Sequence, residues 1–164
     1  MQMDTVPEDI LMWLRSLIFS LLALFAPLTL AADTWTTQWH QGNLVAVTPR
    51  NHLVVGMQLK PNDAVWGVMN IPIQKEQVAE LNKHRMDPLF PFIKVDITVD
   101  DYYRTAQAHI YEDGLYVQTE LDVRQWEGLK SGNILKVRLP DGSEFKETLH
   151  GSGKALRALE KHYR

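Results

Sequence analysis

From residue 34 onward, apolar and polar residues alternate in short runs broken by Gly, Pro, Asn and Asp, a rhythm of strands and turns. Thr34 to His40 alternates, with Trp35, Thr37 and Trp39 on one side and Thr34, Thr36, Gln38 and His40 on the other. Gly42-Asn43 leads to Leu44–Val47, which Pro49 ends. Leu53 to Leu59 follows and stops at Pro61-Asn62-Asp63; Val65 to Met69 is closed by Pro72. Phe92 to Asp100 alternates most cleanly. Ile93, Val95, Ile97 and Val99 face a core, and Lys94, Asp96, Thr98 and Asp100 face water. Tyr102–Tyr111 and Leu115–Leu121 flank Asp113-Gly114, and Asn133–Leu139 and Glu144–Leu149 flank Pro140-Asp141-Gly142-Ser143, both hairpin signals.

Three segments break the strand rhythm. Gln74 to His84 holds good helix formers with a narrow apolar stripe, Val78 and Leu81, as in a short surface helix. Asp122-Val123-Arg124-Gln125 has the form of a capping box, followed by Val123, Trp126 and Leu129 on one face and Gly132 as a stop. A last helix from about Ser152 carries Ala155, Leu156, Leu159 and Tyr163. Many strands, short helices and no βαβ alternation predict a mainly β protein. The expected form is an antiparallel β-sandwich or barrel-like domain with two or three short helices, one of them C-terminal.

The N-terminal segment changes the picture by supplying an address. Arg15 precedes the apolar run Ser16–Ala26, then Pro27 and Thr29-Leu30-Ala31. A positive charge, a short apolar run and small residues at −3 and −1 predict a signal peptide over residues 1–31, cleaved after Ala31. The run is shorter than the ~20 residues of a membrane span, so no lasting span is expected. Asp4, Glu8 and Asp9 have the wrong sign for the leading segment, and Met12 gives a more ordinary start. Residues 32–164 then form a single β-rich domain, large enough to bury a core.

Composition narrows the chemistry. Without Asp4, Glu8, Asp9 and Arg15, the 17 basic and 20 acidic residues become 16 and 17, a net charge of −1. Such balance gives no basic patch for nucleic acid or anionic lipid. The chain has no cysteine, which excludes disulfides, thiol chemistry, Cys-ligated zinc and a lipoprotein anchor.

From about His109 the chain runs Ile110-Tyr111-Glu112-Asp113-Gly114-Leu115, the helix Asp122 to Gly132, the hairpin Ile134 to Leu149, and the turn and helix Gly151 to Leu159. This order of elements in the C-terminal half resembles the invasion-associated locus B family of exported bacterial proteins. These residues cover about a third of the chain. The family places two cysteines around its Gly-centred turn; here Ile110 and Leu115 stand instead. The resemblance implies an exported β-rich domain without established catalytic residues. In place of a disulfide, Ile110 and Leu115 are expected to pack together.

Candidate chemistry is sparse. Gly151-Ser152-Gly153-Lys154 lacks the first Gly and the hydroxyl of a phosphate-binding loop, with Thr148 and Ala155 at those positions, and reads as a tight turn into a helix. His40, His52, His84, His109, His150 and His162 show no metal-ligand spacing. No metal or other cofactor is therefore expected. Asp96 and Asp100 share a strand face and offer a carboxylate pair; Trp35 and Trp39, with Trp66 or Trp126, offer a sugar-stacking platform. The plainer readings are a wet strand face and core tryptophans. Gln74 to Pro91 interrupts the strands with a charged helix and a proline-bound apolar loop. Its Met86, Leu89 and Phe90 are the candidate partner-binding residues, and capping an open end of the sandwich is the rival role. The expectation is an exported, non-enzymatic periplasmic or secreted protein that binds a protein or cell-envelope component. The alternative is an envelope hydrolase or carbohydrate-binding protein using Asp96, Asp100 and surface tryptophans.

Overall fold

A computed structural model describes residues 34–50, 53–59 and 65–163. The expected signal peptide, the Pro61–Asp63 stop and His52 lie outside these residues. Nine strands form one antiparallel sheet: β1 (Thr36–His40), β2 (Asn43–Val47), β3 (Val54–Leu59), β4 (Val65–Pro72), β5 (Phe92–Val99), β6 (Tyr102–Tyr111), β7 (Tyr116–Leu121), β8 (Ile134–Arg138) and β9 (Glu144–Thr148). Their order is β1-β2-β3-β4-β7-β6-β5-β8-β9. Helix α1 (Lys75–Asn82) carries the chain from β4 to β5, α2 (Val123–Ser131) from β7 to β8, and α3 (Ser152–Tyr163) closes it. The mainly β, sandwich-like expectation holds.

Local chemistry sets the turns. Gln41 and Gly42, with φ of 48° and 81°, make the two-residue β1–β2 connection whose left-handed residues match the twist of the strands. In the β8–β9 turn, Gly142 takes φ 89° and Leu139 N donates to Ser143 O. The β6–β7 turn departs from the expected two-residue form. Tyr111 pairs with Tyr116, so the loop is Glu112–Leu115, and Leu115 takes the left-handed φ of 51°. Gly114 serves another purpose: a side chain there would collide with the Tyr116 ring.

One face of the sheet forms the core. Ile93, Val95, Ile97 and Val99 of β5 are buried as expected, together with Met69 and Ile71 of β4 and Val117 of β7. Leu129 of α2 and Leu156 and Leu159 of α3 close over them, each out of reach of solvent. Asp122 caps α2: its carboxylate accepts from Gln125 N at 2.6 Å while Gln125 Oε1 accepts from Asp122 N at 3.0 Å. The buried arc of α2 runs through Gln125, Leu129 and Trp126. At about 100° per residue, Val123 lies outside that arc and is 80% exposed, contrary to expectation.

The ends of the sheet approach without closing it. Trp35, just before β1, is buried; its backbone N–H donates to His150 O and its indole to Thr148 O at 2.7 Å. Tyr163 at the end of α3 hydrogen-bonds both backbone groups of Leu44 in β2. Gly151, with φ 82°, makes the tight turn into α3, and Ser152 Oγ donates toward Leu129 O and Leu149 O. The Gly-Ser-Gly-Lys segment is thus a structural joint, as its plain reading has it.

Candidate functional site

The solvent face of the sheet carries the feature that alternation alone conceals. Phe92 pairs with His109 across β5 and β6, and Tyr111 with Tyr116 across β6 and β7. Their rings form a continuous row: Phe92 to His109 at 5.3 Å, His109 to Tyr111 at 4.4 Å, and Tyr111 stacked on Tyr116 at 4.7 Å. Phe90, in the loop before β5, extends it at 6.3 Å from Phe92. Burial raises the Tyr116 phenol above its ordinary pKa of 10.0, with Tyr111 adding to the shift.

The row ends at an open trough of about 1150 Å³ lying across the outward face of β1 to β4 and β7. Val45 and Val68 lie at its floor beside Gly56, and Gln38, Gln58, Asn70 and Gln118 line it. At the end nearest the β6–β7 turn, Arg85 Nη2 meets Glu112 Oε1 at 2.9 Å, and Asn82 bonds both partners. This pair neutralises itself and anchors α1 to the turn.

The candidate loop adjoins the aromatic row. Leu89 is 83% exposed, and Phe90 and Met86 are also exposed. Met86 N donates to Phe92 O and Leu89 N to Asp87 Oδ1, so backbone bonds define the loop while its apolar side chains face solvent.

Other candidates separate. Asp96 accepts from the hydroxyls of Tyr103 and Thr105 at 2.8 and 2.7 Å. Asp100 leaves the strand face altogether: it sits in the β5–β6 turn with φ 49° and caps the start of β8 through Asn133 N and Ile134 N. Gly132 leaves room for it, because a Cβ there would fall 2.7 Å from its carboxylate. The pair is therefore not a carboxylate dyad. The tryptophans do not share one surface: Trp35 and Trp126 are buried, Trp126 donating to Glu160, Trp39 is exposed with His162 edge-on to it, and Trp66, also exposed, stands on β4 on the side of Val68 and Asn70.

Ile110 is buried, but Leu115 is 37% exposed in its left-handed turn position, so the two do not substitute for a disulfide by mutual burial. The described histidines disperse among the trough, the turn after α1, the aromatic row, the turn before α3 and α3 itself, and no group of three or more His, Asp or Glu is placed to hold a metal among the described residues. Nor is any described helix long and apolar enough to cross a membrane.

Two further features escaped sequence reasoning. Lys130 holds Glu127 and Glu160 at 2.7 and 2.8 Å; burial pulls its ammonium pKa down, but those carboxylates more than offset this and leave it raised. Gln125 is fully buried, with its Oε1 used by Asp122 N and Arg104 and its Nε2 without a hydrogen-bond partner among the described residues. The capping box marked Gln125 as a local partner of Asp122 but not its burial, and helical spacing did not mark Lys130, because burial and the Glu160 contact depend on what lies across from α2.

No protein-family model matches the sequence, and comparison with curated proteins finds no match. Among solved structures, the chain is similar to the crystal structure of invasion associated protein B from Bartonella henselae. The two share 17% identity over 79% of this chain and 94% of that one, with a TM-score of 0.46.

Proposed function

We propose that this protein is an exported, non-enzymatic binding protein of the periplasm or the secreted fraction, holding a protein or cell-envelope component on the outward face of its sheet. The observation that carries this reading is the exposed Met86, Leu89 and Phe90 loop, continued by an unbroken aromatic row to the trough. A recognition element of this kind combines adaptable apolar groups with rings held by a sheet, which lowers the ordering cost of binding. The two carboxylates considered for hydrolysis support the same reading, since both serve turns and strand hydroxyls. Export rests on the Arg15 to Ala31 pattern.

Cell fractionation with N-terminal sequencing, followed by in-cell cross-linking and mass spectrometry, tests both parts. The expected result is a mature terminus at Ala32 or Asp33 and a specific captured component that Leu89→Ser/Phe90→Ser no longer captures. An intact Met1 or Met12 terminus in membranes overturns the soluble exported assignment. Equal capture by the double variant overturns the role of the loop.

A further inference from the structure

The sheet forks beside the trough. Among the described residues, β2 and β3 pair only at Ala46–Val55 and Val47–Val54, although β2 stays paired with β1 as far as Asn43 and β3 with β4 as far as Leu59. Val45 still reaches β3: a Cβ on Gly56 would fall 3.6 Å from its side chain. The strands therefore part just beyond, between Leu44 and Met57.

Strand parity fixes which backbone groups face the fork. Thr48 N donates to Leu53 O, so hydrogen-bonded pairs fall on every second residue: 48 with 53, 46 with 55 and, next in register, 44 with 57. That last pair is not made. Leu44 gives both groups to one side chain instead: its N–H donates to the Tyr163 hydroxyl at 3.1 Å, and the hydroxyl lies 3.3 Å from its C=O as donor. The phenol at the end of α3 thus makes the two bonds that a strand residue would make. Met57, across the fork, gains no partner from the described residues of β2.

We infer that the fork accepts an extended polypeptide segment, which pairs with the Met57 backbone and takes Leu44 from Tyr163. The inference rests on the binding function proposed above and narrows its partner to a protein. Both lips are held in strand geometry by their outer neighbours, β1 and β4, so the gap keeps the donor and acceptor spacing of a ladder. Leu44 and Met57 pack against the core, while Asn43, Val45, Gly56 and Gln58 line the trough. An entering strand matches this with apolar residues inward and uncharged polar ones outward. The end of α3 is the latch: besides the Tyr163 bonds, His162 meets the Trp39 ring edge-on at 5.1 Å and ties back the β1–β2 hairpin. β1 is exposed at every residue, which leaves the hairpin room to swing when those contacts are exchanged.

The test is amide hydrogen exchange, read by NMR on the protein as isolated from the cells that express it, with a capped heptapeptide of alternating threonine and valine. The control is the same peptide N-methylated throughout, which keeps the side chains and loses every backbone donor. Saturating peptide is expected to slow exchange of the Met57 amide about tenfold, and the methylated peptide to leave it unchanged. Tyr163→Phe removes the competing hydroxyl, so the peptide binds about fivefold more tightly, a gain that a merely structural phenol would not give. Met57→Pro keeps the β3–β4 bonds, because that N–H faces away from β4, and abolishes binding, with folding checked by the unfolding midpoint. Should it fail to fold, the methylated peptide and Tyr163→Phe decide. No slowing at Met57, equal slowing by the methylated peptide, or no tightening in Tyr163→Phe overturns the inference. So does mutual protection of Leu44 and Met57 in Tyr163→Phe without peptide, which makes the fork a seam that closes on itself. A partner captured through the Leu89–Phe90 loop while Met57 ignores the peptide leaves the binding function standing and removes only the acceptor. Peptide pairing at Met57 with no captured partner supports the acceptor and removes the role of the loop.

Discussion

The two faces of strands β4, β7 and β6 are made from alternate residues of the same chain, yet they follow different rules. Inward, Met69, Ile71, Val117, Ala108 and Ile110 are apolar and buried beneath the helices. Outward, Val68, Asn70, Tyr116, Gln118, His109 and Tyr111 mix amides, rings and aliphatic groups around an open trough. Burial on the inner face stabilises the domain through the removal of apolar area from water. The outer face is half-buried and retains polar atoms without protein partners, which suits it to contact rather than to cohesion. The difference implies that one face can be changed without losing the other.

Truncations on the inner face give the largest effects. Leu129→Ala is expected to lower stability by about 3 kcal/mol, read as a lower urea midpoint at unchanged slope. Ile110→Ala is expected to destabilise by about 2–4 kcal/mol. Leu115→Gly provides the contrast, because Leu115 occupies φ 51° where glycine is at ease. It is expected to be neutral or to stabilise by up to about 1 kcal/mol. Equal losses at 110 and 115 would show that the turn is part of the core and would erase the contrast.

The Asp122 cap ties α2 to β6 on the inward side, accepting from Gln125 N in α2 and from the Tyr102 hydroxyl on β6. Asp122→Ala is expected to reduce stability by about 1–2 kcal/mol. The same change removes the first cause of the raised Tyr102 phenol pKa, so ultraviolet titration of that phenol should move toward its ordinary value of 10.0.

The smallest expected effect lies in the β8–β9 turn. Burial pulls the Asp141 pKa up, but hydrogen bonds from Ser143 and Gln77 outweigh it and hold the carboxyl below its ordinary 3.8. A carboxyl depressed in the folded state contributes stability above its unfolded pKa and loses it as pH falls through the folded one. Asp141→Asn should therefore flatten the fall of the unfolding midpoint below about pH 4. An unchanged acid limb would place the proton linkage elsewhere.

How far the sequence could be read follows from the range of each interaction. The alternation of Ile93, Val95, Ile97 and Val99 predicts burial because a strand two residues in period has only two faces. The Asp122–Gln125 cap is legible for a similar reason, since both partners lie within one turn. Val123 misleads because helical spacing gives a stripe without saying where its centre meets the sheet. Leu115 misleads because Gly114 attracts the left-handed assignment, whereas Gly114 is required by the Tyr116 ring. The aromatic row needs the pairing register of three strands, and the trough needs β1 to β4 set beside β7. Alternation carries neither relation. The exposed loop at Leu89 and Phe90 was legible as an interruption, but not its continuity with Phe92, His109 and Tyr111.

Whether the outward face is built for contact and the inward face for cohesion shows most directly in the urea midpoint of Leu89→Ser/Phe90→Ser measured beside that of Leu129→Ala. The double variant should keep a midpoint near the unmodified protein's, and the core truncation should show a large fall. A fall in the double variant as large as that of Leu129→Ala would make the loop a structural cap and contradict the division between the faces.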